Sequence, residues 1–540
     1  MISFQHKLPA MHVDGKNNGT YNNWELVMPG VLTTTDPRLG EFLHQLHNII
    51  ADDRRLVFID NRKLCCSLNW IRDHVHQMKA FKHWEYDIRS FLDFILDTQR
   101  EDGQFFELIK QLDDGHWQFV HPESRILYGE DNLALVRLEI EADIEYLVVE
   151  GALQVYRVTG DRIWLESILP KLEKGIDYMT SHPDRWDADY GLCKRAFTID
   201  TWDFAYGKPG TNRKIEADTP MSIHHGDNTG VYQAMRTLAR MNRMLGYEYK
   251  AMVWEDRAAG LRENIMRHLW NGRFFTHMIH LNHHGADDRE EERLSLSNAY
   301  ALHRELLTTE ECRSILAEYI KRRETTNTFA EWYSIDPPYP DFNGYKPGRY
   351  VNGAISPFTA GELAKGAFQN GYEAYGWDII VRFMELLERD GSIYFLYDPH
   401  TEEPQGGGPS GWGAAALLSA VDEGLAGIED LDTGYRKIRF SPRFPVTPYT
   451  ELRYITGYEK TDVTVDLRWI LTEEGMRYRL TSPAQNVQCH LYIPAGRTVK
   501  NITVGGTEIP YTITLTGESV YADFEAAPAG VLDVEVYFMP

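Results

Sequence analysis

Between about residue 40 and residue 425, apolar residues recur at helical spacing in segments separated by short Gly, Asp and Pro punctuation. The clearest segments are 83–99, 139–160 and 161–181, the last two joined by a Thr-Gly-Asp turn at 159–161. Further helical segments fall at 229–245, 248–270, 296–306, 310–323, 359–371, 372–391 and 411–425, with weaker ones at 38–51 and 70–80. About a dozen helices in pairs is the number that six helical hairpins use to close a toroid, with the loops between hairpins gathered at one end. No fixed-period repeat supports a solenoid. Past residue 430 the period changes to two, as in "TDVTVDLRWIL" and "VLDVEVYFMP", which predicts strands of a separate β-sandwich. The expected organisation is therefore a polar arm over 1–37, a mainly α toroid over 38–430 and a β-sandwich over 431–540.

Composition narrows the function. The chain has 540 residues, 43% of them hydrophobic, enough for a large core, and no apolar run of bilayer-spanning length. The N-terminus lacks the charged-then-apolar pattern of a secretion signal, so a cytoplasmic location is expected. A net charge of −24 argues against nucleic acid and anionic membrane as partners, and a neutral ligand fits better. Five cysteines without CxxC spacing suggest neither a disulfide framework nor a zinc site. The 13 Trp and 30 Tyr can stack on sugar faces or fill a core.

Chemistry is expected on the loops between hairpins, and four stretches stand out. In "SLNWIRDHVHQ" (67–77), Trp70, Arg72 and Asp73 stand at a helix start, where Asp73 either complements the helix dipole or faces a ligand. In "FTIDTWDFAYG" (197–207), Asp200 and Asp203 flank Trp202. A carboxyl held against an indole loses solvation in its charged form, which raises its pKa toward the range of a general acid, while a turn cap is the plainer role. "HHGDNTG" (224–230), with Asp227, reads as a helix N-cap at Asn228 or Thr229, or as a loop lining a cavity mouth. "YFLYDPHTEEPQGGGPSGWG" (394–413) reads as a long Gly/Pro loop carrying Tyr397, Asp398, Glu402, Glu403 and Trp412. The histidine-rich stretch 276–293 lacks HExxH or related spacing, so no metal and no cofactor are expected, and a solvated strand followed by an acidic loop is the reading.

These loops, in this order, resemble the six-hairpin glycosidases, the (α/α)6-barrel superfamily that includes trehalases, processing α-glucosidase I relatives and glycogen-debranching-like enzymes. "NWIRDHV" resembles the W-x-R-D segment that holds the terminal sugar. "TWDFAYG" resembles the ESGWDxS segment, "YVNGAISPFTAGELA" (350–364, with Asn352) a substrate-side loop, and 397–413 the YNPLTG…GW loop. The resemblance implies that Asp203 is the general acid of glycosidic cleavage, with Trp70, Arg72, Asp73, Trp202, Asp227, Asn352, Tyr397 and Trp412 on the substrate side. The hydrolases it resembles carry the general base two residues before the Tyr of the last loop. Here that residue is Phe395, and ESG is replaced by Ile199, Asp200 and Thr201. Glu403 is then the first candidate for the base, with Asp398 and Glu331 in reserve. The expected activity is exo-acting hydrolysis of an α-linked oligosaccharide or glycoside with inversion, which needs an acid and a base on opposite faces of the sugar. An inverting phosphorylase and a non-catalytic carbohydrate-binding toroid are the alternatives. Lyase or epimerase chemistry requires His74, His76 or His225 to face the cavity. A carbohydrate is the expected partner, and homo-oligomerisation stays open.

Overall fold

The computed structural model describes residues 32–114, 120–200, 215–283 and 289–540. Twelve α-helices occur among the described residues of the helical part: α1 Pro37–Asp52, α2 Ile71–Phe81, α3 Ser90–Asp97, α4 Ile144–Thr159, α5 Arg162–Met179, α6 His225–Leu245, α7 Glu248–Leu269, α8 Ser297–Ala301, α9 Thr309–Thr325, α10 Pro357–Gln369, α11 Glu373–Asp390 and α12 Gly411–Ser419. The even-numbered helices pack in succession, α2 on α4, α4 on α6, α6 on α8, α8 on α10 and α10 on α12, and α12 returns to α2. The odd-numbered helices lie against this circuit, with α5 on α4 and α6, α7 on α6, α11 on α10 and α1 on α12.

Small residues set the close approaches within the circuit. A Cβ on Gly361 of α10 would sit 2.6 Å from the Ala416 Cβ of α12, and one on Gly230 of α6 would sit 2.6 Å from the Tyr146 ring of α4. Every residue of α12 is buried, as expected for a helix enclosed on all sides. Several helix starts follow local chemistry. Asp36 accepts from the Leu39 N–H at α1, and Thr308 with Glu311 forms a capping box at α9.

The boundaries depart from the periodicity in instructive places. Helix α3 begins only at Ser90, because the Asp87 carboxylate caps the Ser90 N–H and the preceding residues form turns. Helix α6 begins at His225, so "HHGDNTG" is its first turns rather than a capped loop, and Asn228 is spent on the Cys193 N–H and carbonyl. The Gly/Pro stretch 394–413 is a hairpin, Tyr394–Tyr397 paired with Pro404–Pro409, whose glycines 406 and 408 take positive φ. A second hairpin, Arg54–Ile59 with Arg62–Ser67, turns on Asp60 and Asn61, both left-handed.

From Ile428 on, two sheets face each other. One has seven strands and incorporates Thr33–Thr34 alongside Glu451–Tyr458, and the other has five, with Lys437–Phe440 running parallel to Asn486–Ile493. Alternation is clean in Val463–Leu471, where Val465, Leu467 and Trp469 are buried between the sheets. Glu373 of α11 accepts from Ser519 Oγ at 2.6 Å, and Lys82 donates to Glu423 at 2.9 Å on the side facing the sheets.

Candidate active site at one end of the helical circuit

The first turns of the even-numbered helices meet at one end. Arg72 of α2 reaches Asp143 at the start of α4, and Gly226 of α6 abuts Ser297 of α8. Tyr300 of α8 accepts the Trp412 indole N–H of α12 at 2.9 Å, while Trp412 stacks on both Phe358 of α10 (4.6 Å) and His76 of α2 (4.2 Å). Six helix N-termini thus gather at one end, an arrangement that favours polar and anionic groups there.

Its α2–α4–α6 side is a buried row of alternating charge. The Arg72 guanidinium is bidentate on Asp143, Nε to Oδ2 at 2.5 Å and Nη2 to Oδ1 at 2.8 Å, and also contacts Glu141. Burial works against the Asp143 carboxylate, yet Arg72 holds its pKa below the usual range. Arg195 Nη1 lies 3.3 Å from Asp227 Oδ1. For Asp227 the balance is reversed. Burial, with the charges of Asp143 and Asp200, outweighs Arg195 and pushes the pKa up to about 6.

Next to this row stands Asp200, left-handed at φ 50° and fully buried. Its Oδ2 accepts the Ser297 N–H at 2.9 Å, and its own N–H donates to His277 Nε2 at 3.1 Å. Since that nitrogen accepts, Nδ1 carries the imidazole proton and donates to Glu290 Oε2 at 2.9 Å, which Tyr339 OH also bonds. Burial would raise the Asp200 pKa, but His225, His277 and His224 hold it well below the ordinary range. A Cβ at position 226 would overlap Asp200 Oδ1 and Ser297 Oγ, which explains the glycine. Asp200 is thus a structural anchor for the chain entering residue 201. Trp202 and Asp203 lie outside the described residues. The described histidines of 276–293 are likewise committed: His277 is buried, and His280 bridges His283 (2.8 Å) and Glu290 (3.1 Å). Among the described residues, no group of three or more His, Cys, Asp or Glu is arranged to hold a metal ion.

The same helix ends also carry a row of aromatic rings. His76, Trp412, Phe358 and Phe395 form a continuous row, the last pair 5.5 Å apart, with Tyr300 edge-on to His76 at 5.6 Å. Position 395 therefore presents a ring packed on rings. His76 is buried, and burial together with the charges of Lys79, Arg72 and Arg304 keeps its imidazole neutral, with a pKa well below its ordinary value. A base this weak is unsuited to abstracting a carbon-bound proton. His74 accepts from Arg54 at 3.2 Å, and His225 is held by Ser295 at 2.8 Å and Asp200 at 3.5 Å, so these three histidines offer little to lyase or epimerase chemistry.

The remaining sequence candidates are scattered. Trp70 is half-buried ahead of α2 with Lys110 over its ring, and Asp73 is half-buried in the first turn of α2. Asn352 is a buried brace, accepting the Tyr339 N–H and donating to the Tyr339 and Tyr345 carbonyls. The buried Tyr397 OH accepts the Tyr394 N–H at 3.0 Å. Glu403 is exposed where the hairpin turns, its carbonyl accepting the Asp398 N–H. Asp398 accepts the His400 and Thr401 N–H groups and pairs with Arg349 at 3.3 Å. Glu331 is saturated by Arg382 and the Tyr375 hydroxyl. Sequence reading did not single out Glu141, Asp143, Arg195, Tyr300 or Phe358. Helix N-terminal position alone could have flagged Asp143 and Phe358. A cavity of about 640 Å³ lies elsewhere, at the seam between the helices and the sheets, where His490 pairs with Asp523 and Arg439 with Glu429.

Helical circuit and appended sheets give the chain a likeness to glycoside hydrolases, at the level of one domain model and of fold. Within the chain, residues 145–413 match the family model of the mannosylglycerate hydrolase MGH1-like glycoside hydrolase domain, which starts inside α4 and ends in the first turn of α12. A search of curated protein sequences gave no match. Similar solved structures include an α-L-rhamnosidase from Dictyoglumus thermophilum (TM-score 0.62, 12% identity, covering 94% of this chain and 50% of that one). Others are a GH78 family rhamnosidase of Bacillus sp. GL1 (0.59, 14%, 87% and 43%) and the GH63 mannosylglycerate hydrolase of Thermus thermophilus in complex with glucose (0.50, 16%, 70% and 100%). At these identities the likeness is one of fold. The chain spans half the length of the first rhamnosidase and less of the second.

Proposed function

We propose that the chain is a glycoside hydrolase whose six-helix circuit is the inner ring of an (α/α)6 toroid, and that it removes a terminal sugar from an α-linked glycoside at the helix N-termini. The observation that carries this reading is the presence at the same helix ends of a buried carboxylate–guanidinium row on α2, α4 and α6 and of the His76–Trp412–Phe358–Phe395 row of rings, with Arg72 and His76 both on α2. Carboxylates and guanidinia hydrogen-bond hydroxyls, and rings take the apolar face of a pyranose. Asp203, three residues beyond the Asp200 anchor, is the acid in this reading and protonates the leaving oxygen as the C–O bond breaks. A water, relieved of its proton by a carboxylate such as Glu403, attacks the anomeric carbon from the other face with inversion. Arg72, Arg195 and Arg293 are each held by carboxylates, which supports a neutral substrate over an acidic one.

The aromatic surroundings of position 395 favour one second reading, an inverting phosphorylase in which phosphate replaces the activated water. A panel of aryl glycosides and disaccharides, assayed with and without phosphate, tests both. The expected result is phosphate-independent turnover that falls on the order of 100- to 10,000-fold in Asp203→Asn. Retention of more than about a tenth of the rate on a substrate with a poor leaving group would remove Asp203 from the role.

A further inference from the structure

A sheet face turned toward helices normally buries apolar side chains. In the five-stranded sheet, the face toward α9 and α10 carries polar ones instead. Glu429, Arg439, Gln488 and Glu525 follow one another in register across Ile428–Asp430, Lys437–Phe440, Asn486–Ile493 and Ser519–Ala526, and His490 stands opposite Asp523 two residues further along. The helices do not close on this ladder. The cavity of about 640 Å³ lies between them, bordered by Asn370 at the end of α10 and by Arg443 on the sheet side. Its volume is within the range of small-molecule sites.

Most charges in its wall are already matched. Arg439 pairs with Glu429 at 3.0 Å, Gln369 donates to Glu429 at 2.8 Å, and Asp523 accepts from His490 and, at 2.7 Å, from the Thr514 hydroxyl. Burial holds the His490 imidazole below its ordinary pKa, so it adds no charge at neutral pH. Glu429, Asp523 and Glu525 stand against Arg439 and Arg443, which disfavours an anion, and the donors already on Glu429 and Asp523 leave little for a cation.

Two buried side chains on the cavity's border keep unspent hydrogen-bonding groups. Arg443, about 3% exposed, donates from Nη1 to the Gly424 and Ser441 carbonyls at 2.7 and 2.9 Å, while its Nε has no partner. Asn370, about 8% exposed, donates from Nδ2 to the Gly366 carbonyl at 2.9 Å, and no described residue donates to its Oδ1. Buried polar groups without partners are uncommon and call for something that completes them. A hydroxyl both donates and accepts and brings no charge, so it suits one unspent donor and one unspent acceptor together.

We propose that the cavity is a second, non-catalytic site that binds a neutral saccharide, whose hydroxyls accept from Arg443, donate to Asn370 and lie along the Gln488–Glu525 ladder. It is separate from the helix ends assigned to hydrolysis. Helix α10 starts there, at Pro357, and finishes here, at Gln369, about 20 Å away along its axis. The inference stands on the cavity alone and does not depend on the reading of the helix ends. Because the ligand touches both α10 and the sheet, its binding stabilises the seam between them.

The test is calorimetric titration of the whole protein with maltose, glucose and rhamnose, and with gluconate and glucosamine as charged counterparts. It is run on the wild type, on Asn370→Ala and on Gln488→Trp, which fills the cavity from the sheet side, with thermal melts to show that each is folded. The expected result is a binding event for a neutral sugar that raises the melting temperature, is at least about tenfold weaker in both variants, and is tighter than for gluconate or glucosamine. Turnover of the glycoside panel is unchanged in both variants. Failure of all three neutral sugars to bind, identical titrations of Gln488→Trp and the wild type, or a preference for a charged counterpart would overturn the site. If Asn370→Ala fails to fold, Gln488→Trp, at a half-buried position on a sheet face, decides the matter. Sugar binding that depends on Gln488 in a protein that turns over no glycoside would leave this site standing and remove the hydrolase reading.

Discussion

Arg72 shows how little a residue's type says about its role. The sequence places it in a segment that resembles a sugar-holding motif, and in the structure its guanidinium is spent on Asp143 and Glu141. Its contribution to a ligand is therefore indirect, as the residue that fixes two acids at the start of α4. Removing one partner of a buried charge cluster leaves the others uncompensated. Arg72→Ala is expected to lower unfolding free energy by about 3–5 kcal/mol in urea denaturation. A loss below about 1 kcal/mol would show that the acids are satisfied without it. Asp200 gives the complementary lesson. Its carboxylate was as eligible as any for chemistry, but Ser297, His225 and His277 surround it and hold it ionised, which suits an anchor and not an acid.

At the scale of elements, helices with strong period 3.6 were legible and the polar devices between them were not. Segments 161–181 and 248–270 nearly coincide with α5 and α7, because their apolar stripes and flanking turns carry the whole signal. The stretch at 224–230 was harder to read: the starting residues of α6 are buried polar groups whose partners, Cys193, Ser295 and Asp200, are distant in sequence. The same holds for the 394–409 hairpin, whose pairing is a tertiary fact written over a glycine-rich run.

The seam between α12 and the sheets carries a testable element of its own. Asp422 is fully buried beside Glu423 and accepts the Tyr454 hydroxyl at 3.0 Å, and burial pushes its pKa up to about 7. A carboxyl raised above its unfolded value binds more protons when folded, so its favourable contribution is complete below about pH 4 and is lost as pH rises through about 7. Asp422→Asn keeps an acceptor for Tyr454 and removes the ionisation. It should gain on the order of 1–3 kcal/mol over the wild type at about pH 8, a gain that fades toward about pH 5. Thermal melts across that range check it, and a pH-independent difference would contradict the ionisation argument.

For the whole molecule, the circuit of six helices does one thing that a bundle does not: it brings six N-terminal turns from distant parts of the chain to one end. The number of helices and the change to strands near residue 430 were readable because both are periodicities. Which loops face each other was not, since the contacts Tyr300–Trp412 and Arg72–Asp143 join residues 112 and 71 positions apart. The central claim is that this end of the circuit hydrolyses a glycosidic bond, and isotope incorporation tests it most directly. The purified protein is incubated in ¹⁸O-labelled water with the glycoside panel in phosphate-free buffer, and the released sugar is weighed by mass spectrometry after a single turnover. The account predicts one ¹⁸O on the anomeric carbon of the sugar and none on the leaving alcohol. Label on the leaving alcohol, or sugar release that occurs only when phosphate is added and yields an unlabelled sugar phosphate, would contradict it.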